Sequence, residues 1–404
     1  MATDRLYYHD SFLCEFDARV AESLQIEGHH VIVLDRTAFY PTSGGQVHDV
    51  GKLLFDAREV PVTDVADDEQ GRVLHYVAEP IALDTAIHGL IDKSRRLDHV
   101  QQHTGQHVLS AAFIELFNMP TVSFHMGAET CTIDLETASL SPAQAQQAEH
   151  LANQIITEDR PVTVRFVPLE EARQLGLRKL PPKQTDNLRL IDIQNFDLCA
   201  CGGTHVRSTG QIGCILLRKT EKVKQGVRVE FVCGHRAVAL ARKDYATLTE
   251  SAALFSAHIH ELPQQIKKAL DDAKTTGKVQ HKLLEEIAAL EAERLLARSS
   301  GSPKIVRAVF QDRDAVFIKL LAQKLTASQP DVVALLASLL PQPTLVFAQS
   351  PGRKSNMGQL LKEALSQLGG RGGGSADMAQ GGFPPGATDS KQLAQLLQEV
   401  SCRI

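Results

Sequence analysis

Residues 92–116 read DKSRRLDHVQQHTGQHVLSAAFIEL, and their reading decides how the rest of the chain divides. Leu97, Val100, His103, Thr104, His107, Val108 and Ala111 recur at three- and four-residue steps, the period of a helical face. The spacing predicts a helix from Asp92 to Leu116 near the middle of a core. Upstream, residues 1–90 carry short β-branched runs such as HVIVL at 30–34 and GKLLF at 51–55, broken by Gly44 and Gly45. That pattern predicts a small β-barrel-like domain. Downstream, strand-like stretches at 131–135, 162–167, 188–193 and 226–232 surround an Ala/Gln/Glu-rich helix at 142–157. Residues 91–240 are therefore expected to form an α+β core.

Between 241 and 300 the strand signal almost vanishes, and Val279, Leu283, Ile287 and Leu290 are spaced like a coiled-coil stripe. The expectation is a helical linker folded back on its neighbour, ahead of a dimerising coil. SSGSP at 299–303 has hinge composition. Beyond it, IVRAVF at 305–310 and TLVFA at 344–348 alternate with amphipathic helices at 315–325 and 357–368, the order of an α/β domain over 301–404. The expected class is a multidomain α+β protein. A homodimer would use the helical or the C-terminal region.

A hydrophobic content of 43% and a charged content of 23% suit a folded globular chain. No secretion signal opens the sequence, and the longest apolar run, Val332 to Leu340, is far short of the ~20 residues that span a bilayer. The expected setting is the cytoplasm, with no membrane partner. Seven scattered cysteines do not form a disulfide framework. A net charge of -5 argues against indiscriminate binding of phosphate backbones and leaves room for a local basic surface.

Within the helix, His103 and His107 stand one turn apart on one face, where both can reach a single ion. Sixteen histidines make roughly one such pair expected by chance, and His99 extends the series. Eight helical residues rise about 12 Å, so His99 and His107 cannot share an ion, and spacing alone does not choose between the adjacent pairs. A second element, CGGTH at 201–205, joins a thiol and an imidazole through two glycines that permit a tight turn. Cys199 is the competing thiol, with a plain place on the strand entering that turn. Together two helical imidazoles, Cys201 and His205 favour Zn²⁺ over Mg²⁺ or Ca²⁺. A third element, RTAFYPTSGGQ at 36–46, combines a close-approach glycine pair with the amide of Gln46, a donor and acceptor for a small polar ligand, although a hairpin turn accounts for the same residues.

RTAFYPTSGGQ, RRLDHVQQHTGQHVLSAAF and CGGTHVRSTGQIG, in that order, resemble the editing domain of alanyl-tRNA synthetase and the free-standing alanyl-tRNA editing proteins, the AlaX family. The likeness covers Phe39 to about Ala237. GGRGGGSADMAQGG at 369–382 resembles the glycine-rich signature of the synthetase's closing domain, which indicates the long AlaX type. Where free-standing members often carry three glycines, this chain has Ser43, Gly44 and Gly45.

The resemblance implies one Zn²⁺ per chain held by His103, His107, Cys201 and His205. It implies that Thr37 and Gln46 face the misattached aminoacyl group. With no stretch upstream to house an aminoacylation domain, hydrolysis of mischarged tRNA(Ala) in trans is expected, serine and also glycine being the errors removed. Arg353, Lys354, Lys362 and Arg371 lie around the glycine-rich run, whose amides would meet tRNA phosphates. A metallopeptidase is excluded, because Thr104 follows His103 and no HExxH occurs. The competing reading is a non-catalytic RNA-binding module with a structural zinc, since four protein ligands describe a closed site.

Overall fold

In the computed structural model, which describes residues 2–175, 177, 187–224 and 226–404, the chain divides into two units, Met1–Glu250 and Ser251–Ile404. The first unit opens with a closed barrel of six strands, Glu15–Ile26, His29–Leu34, Gly51–Phe55, Arg58–Asp67, Val73–Val77 and Ala86–Ile91. Alternation along Glu15–Ile26 puts Phe16, Ala18 and Val20 inside with Ile32, Leu34, Leu53 and Val62, and the intervening charged residues outside.

Helix α1 (Lys93–Phe117) starts where Asp92 accepts hydrogen bonds from the amides of Ser94 and Arg95. It ends at Asn118, whose φ of 53° breaks the helical path. The three-four periodicity predicts one buried face, but every residue from His99 to Phe113 is buried. Its glutamines are accommodated by pairing: Gln102 donates to the Cys233 carbonyl at 2.9 Å and accepts from the Cys233 amide at 2.8 Å, and Gln101 donates to the Gln211 carbonyl at 3.0 Å. Gly105 admits the close neighbour, since a Cβ there would sit 2.2 Å from the Cys233 sulfur.

Around α1 lie α2 (Pro142–Thr157), begun by a Ser141/Gln144 capping box, and a four-stranded sheet of Thr121–Met126, Cys131–Leu135, Gly226–Cys233 and Ile215–Val223. A separate antiparallel sheet joins Val162–Pro168, Asn187–Ile193 and Asp197–Ala200, with α3 (Leu169–Gln174) after its first strand. Helix α4 (Gly234–Leu254) follows the last strand of the larger sheet.

In the second unit, α5 (Leu262–Ala297) buries Ala288, Ala292 and Leu296 in the same core as α6 (Ala315–Ser328). Residues 262–297 thus pack with the domain that follows, whereas the hinge-like SSGSP suggested a boundary after them. Strand Lys304–Asp314 runs parallel to Val332–Leu340, and Thr344–Gln349, Met378–Gly382 and Arg371–Gly374 complete a five-stranded sheet. Val332, Ala334 and Leu336 face α5 and α6, while Val333, Leu335 and Ala337 face α7 (Met357–Ser366) and α8 (Ser390–Ser401). The apolar run is a strand covered on both faces. Among the described residues no helix is long and apolar enough to cross a membrane.

Part of the glycine-rich run is paired as strands. Arg371–Gly374 and Met378–Gly382 pair as an antiparallel ribbon, so many of its amides are committed to strand hydrogen bonds. Gly381 lies under α7, where a Cβ would come 2.3 Å from Leu365. Glycine here allows close packing. Arg353 is ion-paired with Asp331 and largely covered, while Lys354, Lys362 and Arg371 are exposed.

Candidate metal centre

Helix α1 presents His103 and His107 toward the turn after Asp197–Ala200, and the ligand atoms of His103, His107, Cys201 and His205 all lie within 4.8 Å of one another. The Cys201 Sγ is 3.5 Å from His103 Nε2 and 3.3 Å from His205 Nε2. Zinc bonds of about 2.0–2.3 Å at tetrahedral angles separate sulfur and nitrogen donors by about 3.5 Å. The donor set and its spacing therefore fit Zn²⁺.

Each imidazole is oriented through its other nitrogen. His103 Nδ1 donates to Gln46 Oε1 at 2.6 Å, and His107 Nδ1 lies 3.3 Å from Asp197 Oδ2. His205 Nδ1 meets Thr104 Oγ1 at 3.2 Å, and that hydroxyl donates onward to the Val100 carbonyl at 2.8 Å. With Nδ1 protonated in each ring, Nε2 is left as the basic atom facing the cluster.

Without an ion, Cys201 and the rings around it share protons. Burial pushes the Cys201 thiol up, but the His103, His205 and His107 rings outweigh it, and the net displacement is downward, toward thiolate. Burial lowers His205 to about 3 and keeps it neutral. Burial lowers His107, but the Cys199 and Cys201 sulfurs and Asp197 outweigh it and raise that ring well above the usual imidazole range, so an ion entering here displaces a proton, since a thiolate and neutral imidazoles are the forms that bind metal.

His99, which spacing could not exclude, faces elsewhere. Its Nδ1 is 3.8 Å from Asp49 and has no hydrogen-bond partner among the described residues, and burial lowers the ring to about 4. Cys199 lies within 4.8 Å of His107 and Asp197, so it flanks the His107 side of the cluster.

The motif at 36–46 is tied to α1 by a fully buried ion pair, Arg96 with Asp49. Arg96 also donates to the carbonyls of Ala38 and Ser11, and Asp49 accepts from the Tyr40 amide at 2.7 Å. That anchoring brings Gln46 to His103. The Gln46 oxygen also accepts from the Thr204 amide at 3.1 Å, and its Nε2 donates to the Thr204 hydroxyl at 2.9 Å. The sequence predicted an amide facing a ligand; the structure turns the Gln46 oxygen onto a candidate metal ligand.

Thr37 is buried with its hydroxyl 2.9 Å from His75 Nε2, and it accepts from the Phe39 amide at 3.1 Å. His75 Nδ1 faces the Ile32 carbonyl at 3.3 Å, so Nε2 accepts from Thr37. Burial holds His75 neutral, lowering it to about 4. His75 and Asp197 carry parts of this network without having been singled out in the sequence, and Thr104 was read there only as a position on the helical face. No spacing rule marks them.

Residues 3–95 match the family described as tRNA synthetases class II (A), and residues 188–229 match the threonyl and alanyl tRNA synthetase second additional domain. His103 and His107 fall between the two matched stretches. The chain is 30% identical over 393 residues to the alanyl-tRNA editing protein AlaX-L of Pyrococcus horikoshii, covering 94% of each. It is 34% identical over 400 residues to the alanine–tRNA ligase of Pyrococcus abyssi, covering 94% of this chain and 42% of the ligase. The chain thus spans about two fifths of the length of that ligase. Among solved structures, the C-Ala domain from Aquifex aeolicus alanyl-tRNA synthetase aligns with 25% of this chain and 92% of its own at 27% identity, with a TM-score of 0.23.

Proposed function

The chain belongs to the alanyl-tRNA editing protein family, and on that footing we propose that it is a trans-acting aminoacyl-tRNA deacylase removing serine, and also glycine, from mischarged tRNA(Ala). The observation that carries this reading is the convergence of His103, His107, Cys201 and His205, from two distant segments, into one buried donor set. When bound there, zinc supplies Lewis acidity toward an ester.

The chain's own residues have separate tasks in this reading. Gln46, Asp197 and Thr104 fix the tautomers of His103, His107 and His205. Thr37 is held by His75 and the Phe39 amide, and a lone pair left on its oxygen would accept the hydrogen of a serine hydroxyl. Lys354, Lys362 and Arg371 offer exposed cations to the tRNA body, a role from which the Asp331 pairing removes Arg353. Exposed Leu270, Val279, Leu283 and Leu290 on α5 give a homodimer an apolar surface. The setting is the cytoplasm.

The test is hydrolysis of Ser-, Gly- and Ala-tRNA(Ala) by the purified protein, with and without a chelator. Faster loss of serine and glycine than alanine, abolished by metal removal, is the expected result. A protein that retains zinc and binds tRNA yet hydrolyses none of the three is an RNA-binding module with a structural metal, a reading that the closed four-donor set favours.

A further inference from the structure

Arg189 is a buried cation with an unusual set of partners. Only 8% exposed, it donates from Nη1 to the carbonyls of Cys201 at 2.7 Å and Gly203 at 3.0 Å, and from Nε to the carbonyl of Tyr8 at 3.1 Å. Its guanidinium stands 5.2 Å from the centre of the Tyr8 ring, and its own carbonyl accepts from the Cys201 amide at 3.2 Å. Among the described residues no carboxylate pairs with it, and Nη2 has no hydrogen-bond partner. A guanidinium buried without a counter-anion is costly.

The turn beside it depends on this grip. With the carbonyls of Cys201 and Gly203 both drawn toward Arg189, the Gly203 amide points to the Cys201 Sγ at 3.3 Å, and Sγ faces His103 and His205. Gly203 packs directly against His103, since a Cβ there would lie 2.0 Å from the ring. Resting on the metal-site reading above, we propose that Arg189 is a positioning residue that aims the Cys201 thiolate at the metal by clamping the backbone of the turn that carries it. A lysine would keep the charge, but its single nitrogen ends one bond short of Nη1 and cannot grip the Cys201 and Gly203 carbonyls while also holding that of Tyr8.

The test uses the full chain, with Arg189→Lys and Arg189→Gln, and Co²⁺ or Zn²⁺ alone as the probe. Chelator competition should show affinity reduced about 10- to 100-fold in both variants, the range for outer-shell partners of metal ligands. The thiolate-to-cobalt charge-transfer absorption should weaken or shift, a change that reduced stability elsewhere does not produce. Wild-type affinity and wild-type absorption in Arg189→Lys would overturn the proposal and leave Arg189 a sheet-stabilising residue. If Arg189→Gln fails to fold, Arg189→Lys decides alone. Because neither readout requires catalysis, a wild-type protein that hydrolyses no aminoacyl-tRNA would defeat the proposed function without touching this result.

Discussion

Gln46 Oε1 and His103 Nδ1 meet at 2.6 Å across 57 residues of sequence, and the hydrogen bond fixes which nitrogen of His103 is free. Gln46→Met keeps the volume and removes the acceptor. Metal affinity should fall roughly 10- to 100-fold by chelator competition, with the fold retained. If affinity is unchanged while KM for aminoacyl-tRNA rises, Gln46 acts on substrate and not on His103.

The two thiols near the centre should separate cleanly. Cys201→Ala should lose the single zinc per chain in elemental analysis, whereas Cys199→Ala should retain it, because only Cys201 Sγ approaches both His103 and His205 Nε2. The opposite pattern would exchange their assignments.

Thr37→Val preserves shape and deletes the hydroxyl that joins His75 and the Phe39 amide. The rate for Ser-tRNA(Ala) relative to Ala-tRNA(Ala) should drop by about ten-fold or more, as expected when a hydrogen bond that reads a hydroxyl is removed. Unchanged discrimination would take Thr37 out of recognition.

Acid should destabilise the first unit in a defined window. His75 is lowered to about 4 by burial, so between its ordinary value near 6.5 and 4 the unfolded chain takes up a proton that the folded chain does not. Stability is full above about 6.5 and declines as pH falls through that range, by at most about 1.4 kcal/mol per pH unit for this one group. His75→Gln should make the decline shallower in urea titrations at a series of pH values. A slope identical to wild type would mean that His75 does not contribute.

Residues 1–250 prepared alone should keep their metal and deacylate at high substrate, because the candidate metal ligands all lie in that unit. KM should rise. Binding should also depend less steeply on salt than for the full chain, by roughly 0.7 to 0.9 of a log–log unit for each tRNA phosphate that the shorter chain no longer neutralises. Equal salt slopes would show that Lys354, Lys362 and Arg371 do not hold tRNA.

What could be read in advance followed the strength of local signals. The candidate donors sit in HTGQH and CGGTH, where residue type and spacing mark a metal clip, though spacing left His99 in play and only the family resemblance chose His103 and His107. Their orienting partners were not legible, because Asp197, Thr104 and Arg189 act through interactions that only the folded chain creates. Periodicity gave α1 one buried face, since polar side chains score as exposed; in the structure its glutamines are buried by pairing with the backbone of Gln211 and Cys233. Val332 to Leu340 drew attention only as an apolar run, because a strand covered on both faces has no alternation to detect. The glycine-rich run was read for its amides, and composition alone did not show that its glycines also give the clearance beneath Leu365.

The donors come from segments about a hundred residues apart, His103 lying 98 positions before Cys201. During synthesis, therefore, the four donors cannot meet until His205 has left the ribosome. The helix that carries His103 and His107 also takes its polar partners from Gln211 and Cys233, which leave the ribosome later still. Metal capture and closure of this core thus become late, nearly simultaneous events, and a ribosome that stalls before residue 205 leaves a barrel attached to an unclosed core.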